Sequence, residues 1–103
     1  MEITTKKGRG KQQVLHAGIE GPMTIYHAAA GKAALLETLQ RAGRVEIDLS
    51  GVTEMDTAGA QLLVLLAREA QAAGKELLLC AHSPPVLDVL ECYRLATLLE
   101  GTP

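Results

Sequence analysis

Residues 44–66 read RVEIDLSGVTEMDTAGAQLLVLL, and this stretch contains the signals for a strand, a connection and a helix in close succession. In its first part the apolar side chains of Val45, Ile47 and Leu49 alternate with two carboxylates. Such alternation predicts a strand with one buried face and one polar face. The second part predicts a helix over residues 57–73. A strand followed directly by an apolar helix favours an α/β fold.

The chain of 103 residues is long enough for one ordinary core, so we expect a single domain over residues 1–103. Aromatic residues make up only 2% of the sequence, and the core must therefore be built from Leu, Val, Ile and Ala. A net charge of -2 argues against nucleic acid as a partner, because phosphate binding needs a clustered positive field. One basic cluster, with Lys6, Lys7, Arg9 and Lys11, is interleaved with glycines and is typical of a solvated turn; a phosphate-binding arm is the alternative.

The first residues, MEITTKKGRG, contain no apolar stretch typical of a signal peptide. No run approaches the roughly 20 apolar residues needed to span a bilayer. We therefore expect a soluble cytoplasmic protein with no direct membrane insertion. In that compartment Cys80 and Cys92 stay reduced, and each lies in an apolar segment where a free cysteine acts as a small hydrophobic residue.

The remaining segments carry signals for the other elements. Two short strands on either side of a Gly-rich turn indicate a hairpin, and Gly21-Pro22 breaks the second strand. Thr24 is the predicted N-cap of the first helix and Gly43 its left-handed C-terminal residue. Ser83-Pro84 predicts a helix start with a capping hydroxyl. The predicted strands cover residues 2–6, 12–19, 44–49 and 76–81, the first two helices cover 25–42 and 57–73, and the last helix has an apolar stripe of Val86, Val89, Leu90 and Tyr93.

This order of elements predicts how the strands pair. Strands joined through helices pair in parallel, whereas the two strands of a short hairpin are antiparallel. The prediction is therefore a mixed β-sheet, with an N-terminal hairpin plus parallel central strands, and three to four helices. Residues 76–81, ELLLCA, form a continuous apolar run that is typical of a strand covered on both faces.

The start of the second helix is unusual because it places Gly59 in the first turn, where Gly costs about 1 kcal/mol relative to Ala. Asp56 or Thr57 can act as the N-cap of this helix. That structural role alone would explain the presence of one of the two residues, without a function in binding or catalysis. The small residues Ala58, Gly59 and Ala60 leave the Thr57 hydroxyl uncrowded on an exposed corner. The free amides of that corner would favour an added anion.

One face of the second helix mixes several kinds of side chain, since it carries Thr57, Gln61, Val64 and Arg68 at helical spacing. The predicted core stripe lies roughly opposite and consists of Leu63, Leu66, Ala67 and Ala70. A hydroxyl, an amide, an apolar side chain and a guanidinium are compatible with plain surface and equally with a polar-rimmed protein contact.

Catalysis and cofactor binding have no clear pattern in the sequence. Thr57 has Asp56 beside it but no His close in sequence, so a catalytic triad is not indicated. The three histidines lie on separate elements without the spacing of metal ligands. The glycines near the N-terminus lack the strand-to-helix context of a phosphate loop. We therefore expect no metal, no cofactor and no enzyme activity.

Three segments together resemble the STAS domain family, named after sulfate transporters and anti-sigma factor antagonists. Residues 47–59, IDLSGVTEMDTAG, are similar to the signature strand and helix start of that family. Residues 21–26, GPMTIY, resemble the start of its first helix, and residues 82–86, HSPPV, resemble the start of its late helix. The resemblance extends over residues 12–99 in the expected order of elements, and it implies the STAS fold.

The resemblance also implies a non-catalytic regulatory protein. In bacterial anti-sigma factor antagonists of this family, a partner serine kinase, which is also the anti-sigma factor, phosphorylates the hydroxyl that follows the Asp. Only the unphosphorylated form binds that partner. Thr57 stands at the phosphorylated position and Asp56 is its acidic neighbour. Partner binding is accordingly expected at Asp56, Thr57, Ala58, Gly59, Gln61, Val64 and Arg68.

Two other branches of the family also have Thr at this position. One is the small cytosolic STAS subunit of a bacterial phospholipid-transport ABC complex, where the Thr helps to contact the ATPase. The other is a group associated with chemotaxis gene clusters, which residues 24–26 and 56–63 resemble most. The sequence departs from the family pattern at Thr57, Pro22 and Arg94. We interpret the chain as a regulator whose partner is an anti-sigma factor and serine kinase or a chemotaxis signalling protein, and an ABC transporter ATPase is the alternative.

Overall fold

The computed structural model describes residues 1–7 and 14–92 of the chain. These residues form four strands and three helices, in the order that the sequence predicts. The elements are β1 (Glu2–Lys7), β2 (Val14–Met23), α1 (Ile25–Gln40), β3 (Arg44–Met55), α2 (Thr57–Ala72), β4 (Glu76–Cys80) and α3 (Pro84–Cys92).

The four strands form one mixed sheet in the order β1-β2-β3-β4. β1 and β2 are an antiparallel hairpin, whereas β2 pairs with β3, and β3 with β4, in parallel. The predicted mixed sheet is therefore confirmed. Both parallel pairs are joined through a helix and advance in the same direction across the sheet, and α1 and α2 are in contact with each other.

One face of the sheet is buried under the helices. Along β3, Val45, Ile47 and Leu49 are at most 2% exposed, as their alternation predicts. They belong to a single core cluster together with the buried faces of the helices, which contribute Leu35 and Leu39 from α1, Leu63, Leu66 and Ala70 from α2, and Val86 and Leu90 from α3. Since all three helices contribute to this cluster, they form one layer on the sheet.

The opposite face of the sheet is polar in the described part of the chain. It carries exposed side chains such as His16 and Asp48. On β4, Leu77 and Leu79 are buried, but Leu78 points to the polar face and is only half-buried. The prediction that this apolar run is covered on both faces is therefore wrong for the described residues, because helices cover only one side of the sheet.

Gly21-Pro22 does not end β2, contrary to the sequence prediction. Gly21 has a left-handed φ of 90°, and the register against β3 shifts twice along this part of the strand. These irregularities accommodate the missing N–H of proline, so that β2 continues to Met23. β3 likewise continues beyond the predicted end at residue 49. As a result, Met23 and Met55 are paired at the ends of the two strands.

The ends of α1 and α2 differ in kind. α2 ends at Ala72, one residue before the predicted end at residue 73, and Gly74 follows with a left-handed φ of 69°. Gly43 is not in the left-handed region, so its predicted role after α1 is wrong. Its carbonyl instead accepts a hydrogen bond from the Glu76 N–H at 3.0 Å, which joins the beginnings of β3 and β4.

The start of α3 lacks the predicted capping hydroxyl. The Ser83 carbonyl accepts the Leu87 N–H at 3.0 Å, which begins the helix as expected. The Ser83 hydroxyl is buried, however, and has no hydrogen-bond partner among residues 1–7 and 14–92. The prediction that this side chain caps α3 is therefore wrong. The fixed φ of Pro84 is the feature that favours a helix start here.

The two cysteines lie in different surroundings and neither is in a disulfide. Cys80 is half-buried and its thiol donates to the Ile47 carbonyl at 3.4 Å. Burial raises the pKa of the Cys80 thiol and so favours its protonated form. Cys92 is exposed, which corrects the expectation that it packs as a small hydrophobic residue. The predictions for Arg9, Lys11, Tyr93 and Arg94 lie outside the described residues.

Candidate functional site

The site predicted from the sequence lies where β3 meets α2. Asp56 occupies the N-cap position of α2 with an extended backbone, at φ -119° and ψ -171°. Its Oδ1 accepts the N–H groups of Ala58 at 2.9 Å and Gly59 at 3.2 Å. Of the two residues that the sequence offers as caps, Asp56 therefore fills the role. Thr57 is the first residue of the helix, and its side chain is exposed.

The same carboxylate also caps α1. Asp56 Oδ2 accepts the Ile25 N–H at 3.0 Å. Thr24 is the N-cap residue of α1, as the sequence predicts, but its side chain makes no cap hydrogen bond, so the expected capping by its hydroxyl is wrong. The double role of Asp56 follows from the sheet. Since β2 and β3 are parallel neighbours that end at one edge, they bring the starts of both helices together.

These hydrogen bonds stabilise the charged form of Asp56. They lower the pKa of its carboxyl below the ordinary value of 3.8, with the bond from Ile25 as the largest cause and those from Gly59 and Ala58 as smaller ones, partly opposed by desolvation. The carboxylate is ionised at neutral pH and lies at the positive ends of two helix dipoles. A negative group added at Thr57 would therefore lie beside a fixed negative charge.

Gly59 is explained by packing. It is buried, and a Cβ at this position would collide with the Met23 carbonyl oxygen and lie 3.0 Å from Met55 Cγ. These atoms belong to the ends of β2 and β3, so the first turn of α2 approaches the sheet this closely only without a side chain. The tight packing is a structural reason for Gly59 that the sequence did not suggest. Gly59 lies beneath the exposed surface, and its part in a partner contact stays a prediction.

The exposed stripe of α2 lies where the sequence places it. Thr57, Gln61 and Arg68 are exposed, and Val64 and Ala58 are half-buried. The predicted core stripe faces the sheet, with Leu63, Leu66 and Ala70 buried and Ala67 half-buried. The stripe extends about 16 Å along the helix, at 1.5 Å per residue. Its role in binding a partner stays a prediction.

Two further residues adjoin this surface, although the sequence did not assign them to the predicted partner contact. Ile25 and Tyr26, in the first turn of α1, are 68% and 90% exposed. The backbone bond from Ile25 to Asp56 fixes them beside the start of α2. Their helical positions could have identified them, since both fall outside the buried stripe that contains Leu35 and Leu39. Adjacent exposed Ile and Tyr side chains are typical of a protein contact.

Two open depressions adjoin this corner. A groove of about 260 Å³ runs between the helices, lined by Ala28, Ala29 and Lys32 of α1 and by Ala58, Gln61, Leu62 and Leu65 of α2. A wider cleft of about 580 Å³ lies between the end of β3, the start of α1 and the first turns of α3. Its lining includes Tyr26 and three carboxylates, those of Glu54, Asp56 and Asp88. The corner thus combines an exposed centre with concave surfaces and an acidic edge.

Metal ligands are not clustered in the described part of the chain. Within residues 1–7 and 14–92, no three His, Cys, Asp or Glu side chains come together as a group that could hold an ion. Over the same residues, none of the helices has both the length and the apolar character needed to cross a membrane.

Residues 6–100 match the protein family described as "Mlab, STAS domain". The chain belongs to the STAS family. The resemblance read from residues 47–59 is thereby confirmed for nearly the whole sequence. No curated protein has a sequence that matches this STAS chain significantly.

Solved structures share the fold of this STAS chain. The anti-sigma factor antagonist SpoIIAA in its unphosphorylated form superposes with a TM-score of 0.69 at 15% identity, over 95% of this chain and 84% of that chain. The Bacillus cell fate determinant SpoIIAA in its phosphorylated form gives 0.65 at 14% identity, over 92% and 87%. A structure described as a candidate anti-sigma factor antagonist from Thermotoga maritima gives 0.73 at 18% identity, over 84% and 75%. At such identities the likeness shows the fold, a mixed sheet covered by helices.

Proposed function

We propose that this STAS protein is a non-catalytic regulator of the bacterial cytoplasm that acts by reversible binding to another protein. The binding surface is centred on Thr57 and includes Asp56, Ala58, Gln61, Val64 and Arg68, with Gly59 beneath it. One observation carries the proposal. An exposed hydroxyl stands at the start of a helix, beside a carboxylate that caps two helices and beside two large exposed apolar side chains.

The chemistry of this surface supports protein binding. Tyr26 and Ile25 supply apolar contact area, and Tyr is among the residues that contribute most binding energy in protein interfaces. Gln61 and Arg68 supply exposed polar groups further along α2. Because Asp56 holds the starts of both helices, the two parts of the surface are presented in one fixed arrangement. Such preorganisation reduces the entropy lost on binding.

Phosphorylation of Thr57 by a partner serine/threonine kinase is the proposed switch. A phosphate carries about -1.5 to -2 charges at pH 7. At this position it lies beside ionised Asp56 and close to the acidic cleft that contains Glu54 and Asp88. The amides of Ala58 and Gly59 already donate to Asp56, contrary to the expectation of free amides at this corner, so they do not hold the added anion. Within the free protein the phosphate on exposed Thr57 stays hydrated and lies at the positive end of the α2 dipole, so the fold persists. In a complex, the same charge is desolvated and repelled, so the partner dissociates.

The comparisons support a switch that acts on the surface and leaves the fold unchanged. Both the unphosphorylated and the phosphorylated SpoIIAA structures share the fold of this chain. In this function the partner is an anti-sigma factor that is also a serine kinase, or a chemotaxis signalling protein.

A second candidate function is that of the cytosolic STAS subunit of a phospholipid-transport ABC complex. Thr in place of Ser at position 57 favours it, because the sequence resembles that branch at this residue. The same surface would then contact the ABC transporter ATPase, and phosphorylation would not be required.

Capture of partners from the lysate of the native host tests the proposal. Three baits are compared: the wild type, Thr57→Glu, and the control Gln71→Glu. Gln71 is exposed in the last turn of α2, about 21 Å from Thr57 along the helix, so the control adds the same charge away from the site. We expect a kinase-like anti-sigma factor or a chemotaxis component on the wild type and the control, and its loss from Thr57→Glu.

The other outcomes are equally clear. Retention of an ABC ATPase on the wild type and its loss from Thr57→Glu selects the second candidate function. Equal retention of the same proteins on all three baits would show that Thr57 lies outside the contact.

A further inference from the structure

β1 is an edge strand whose charges are not matched within its own sheet. Among the described residues it has a hydrogen-bonded neighbour strand on one side only. The register places Glu2 directly opposite Glu20, and Lys6 directly opposite His16, and all four side chains are exposed. Glu2 and Glu20 are like charges directly opposite each other, which is destabilising on a sheet. His16 lies 3.1 Å from a Glu46 carboxylate oxygen, so that carboxylate contacts His16 and leaves Lys6 without an acidic neighbour across the described strand pair. The ion pairs of the described residues involve neither Glu2 nor Lys6.

The sequence of this strand, EITTKK, is complementary to itself when two copies run antiparallel. In an antiparallel pair, the side chains of two residues directly opposite each other point to the same face of the sheet. A symmetric pair of identical strands therefore places one residue directly opposite its own copy, and the two-fold axis passes between these two residues. With the axis at Thr4, each Glu2 lies opposite Lys6 of the other copy, and Ile3 lies opposite Thr5. An axis one residue to either side places no Glu opposite a Lys.

We propose that two copies of this protein associate through β1, centred on Thr4, to form one continuous eight-stranded sheet. Each Glu2, which faces Glu20 in its own sheet, gains Lys6 of the second copy on its other side. Each Lys6, which faces His16, gains a carboxylate. The free backbone groups of the edge are satisfied by the new strand pair, as in other complexes formed by strand addition.

The other edge of the sheet lacks this complementarity. β4 reads ELLLC, and its one charged residue, Glu76, already lies 3.7 Å from the Arg44 guanidinium. An antiparallel copy of β4 centred on Leu78 places Glu76 opposite Cys80. Charge therefore selects β1 as the edge that pairs. The contact is a single short strand pair, so we expect a weak dimer that forms with rising concentration.

Charge reversal tests the register. Glu2→Lys and Lys6→Glu each convert both symmetry-related pairs from opposite to like charge, so each variant alone should dimerise at least about tenfold more weakly than the wild type. A mixture of the two variants restores opposite charges in every pair, so a heterodimer should form. Sedimentation velocity over a concentration series measures all four samples, and circular dichroism confirms that each variant is folded.

Cysteine cross-linking tests the position of the axis. In a variant in which Cys80 and Cys92 are replaced by Ser, Thr4→Cys places two thiols across the axis at about 5 Å between Cβ atoms, whereas Glu2→Cys places them about 13 Å apart along the strands. We expect an oxidised dimer of Thr4→Cys and none of Glu2→Cys.

The proposal is overturned if the wild type stays monomeric at the highest concentration reached, or if its dimer is unaffected by either charge reversal. Failure of the mixed variants to pair, or equal cross-linking at both positions, also overturns it. Thr57→Glu should dimerise as the wild type does, so the outcome is independent of the function proposed above.

Discussion

Replacing Gly59 with Ala separates packing from helix propensity, because the two effects have opposite signs. In an exposed helix, Gly→Ala stabilises by about 1 kcal/mol. At position 59 the new Cβ collides with the Met23 carbonyl oxygen and lies within 3.1 Å of Met23 Cβ and 3.0 Å of Met55 Cγ. The carbonyl belongs to the backbone of β2 and cannot rotate away, so the overpacking penalty falls near the upper end of its usual range, about 3 kcal/mol. We therefore expect a net loss of about 2 kcal/mol.

Urea unfolding followed by circular dichroism measures this loss, which corresponds to a fall in Tm of roughly 8 to 16 °C for a domain of this size. Gly43→Ala is the matched control. No atom lies within 4 Å of a Cβ built at Gly43, and its φ is not left-handed, so this change should stabilise by about 0.4 to 1 kcal/mol. If Gly59→Ala is as stable as the wild type or more so, α2 does not dock against the end of β2 as described.

Three further changes test the core, the cap and the surface. Leu66→Ala should destabilise by about 2 to 5 kcal/mol in urea unfolding, because Leu66 is 1% exposed, and a negligible loss would show that the faces of α2 are assigned wrongly. Asp56 has a lowered pKa in the folded state, so its contribution to stability is present above 3.8 and is lost as the pH falls through the folded-state pKa below that value. The difference in stability between wild type and Asp56→Asn should therefore shrink below pH 3.8, and a difference that stays constant down to pH 2 would contradict the double cap. Tyr26→Ala should keep stability within about 0.5 kcal/mol but weaken partner binding by about tenfold or more in calorimetric titration, since this side chain is 90% exposed, and an unchanged affinity would exclude Tyr26 from the contact.

The elements with strong periodicity could be predicted from the sequence. Val45, Ile47 and Leu49 alternate because one face of β3 packs against helices, and the buried stripe of α2 repeats at helical spacing for the same reason. Element boundaries were less predictable, because tertiary contacts set them. Gly21-Pro22 has the local signal of a strand end, yet pairing with β3 extends β2 past these residues. The register between the two strands shifts in this region as a result.

The site was predictable where its interactions are local. The cap formed by Asp56 involves amides two and three residues away, so the sequence alone suggested it. The bond to the Ile25 amide joins residues 31 positions apart and depends on two strands that end together. The collision that explains Gly59 likewise comes from the backbone of a distant strand. No local pattern in the sequence contains this information. The same holds for Ser83, which has the sequence context of a capping residue, although its hydroxyl is buried and caps no helix among the described residues.

The central claim, that the Thr57 surface binds a partner and is switched by charge, is tested most directly with the purified partner. Isothermal titration calorimetry compares its affinity for the wild type, Thr57→Glu and the control Gln71→Glu, with the melting temperature of each variant measured in parallel. We expect Thr57→Glu to bind at least about 30-fold more weakly with its melting temperature within a few degrees of the wild type, and Gln71→Glu to bind as the wild type does. Equal affinity of all three proteins for the partner would contradict the claim.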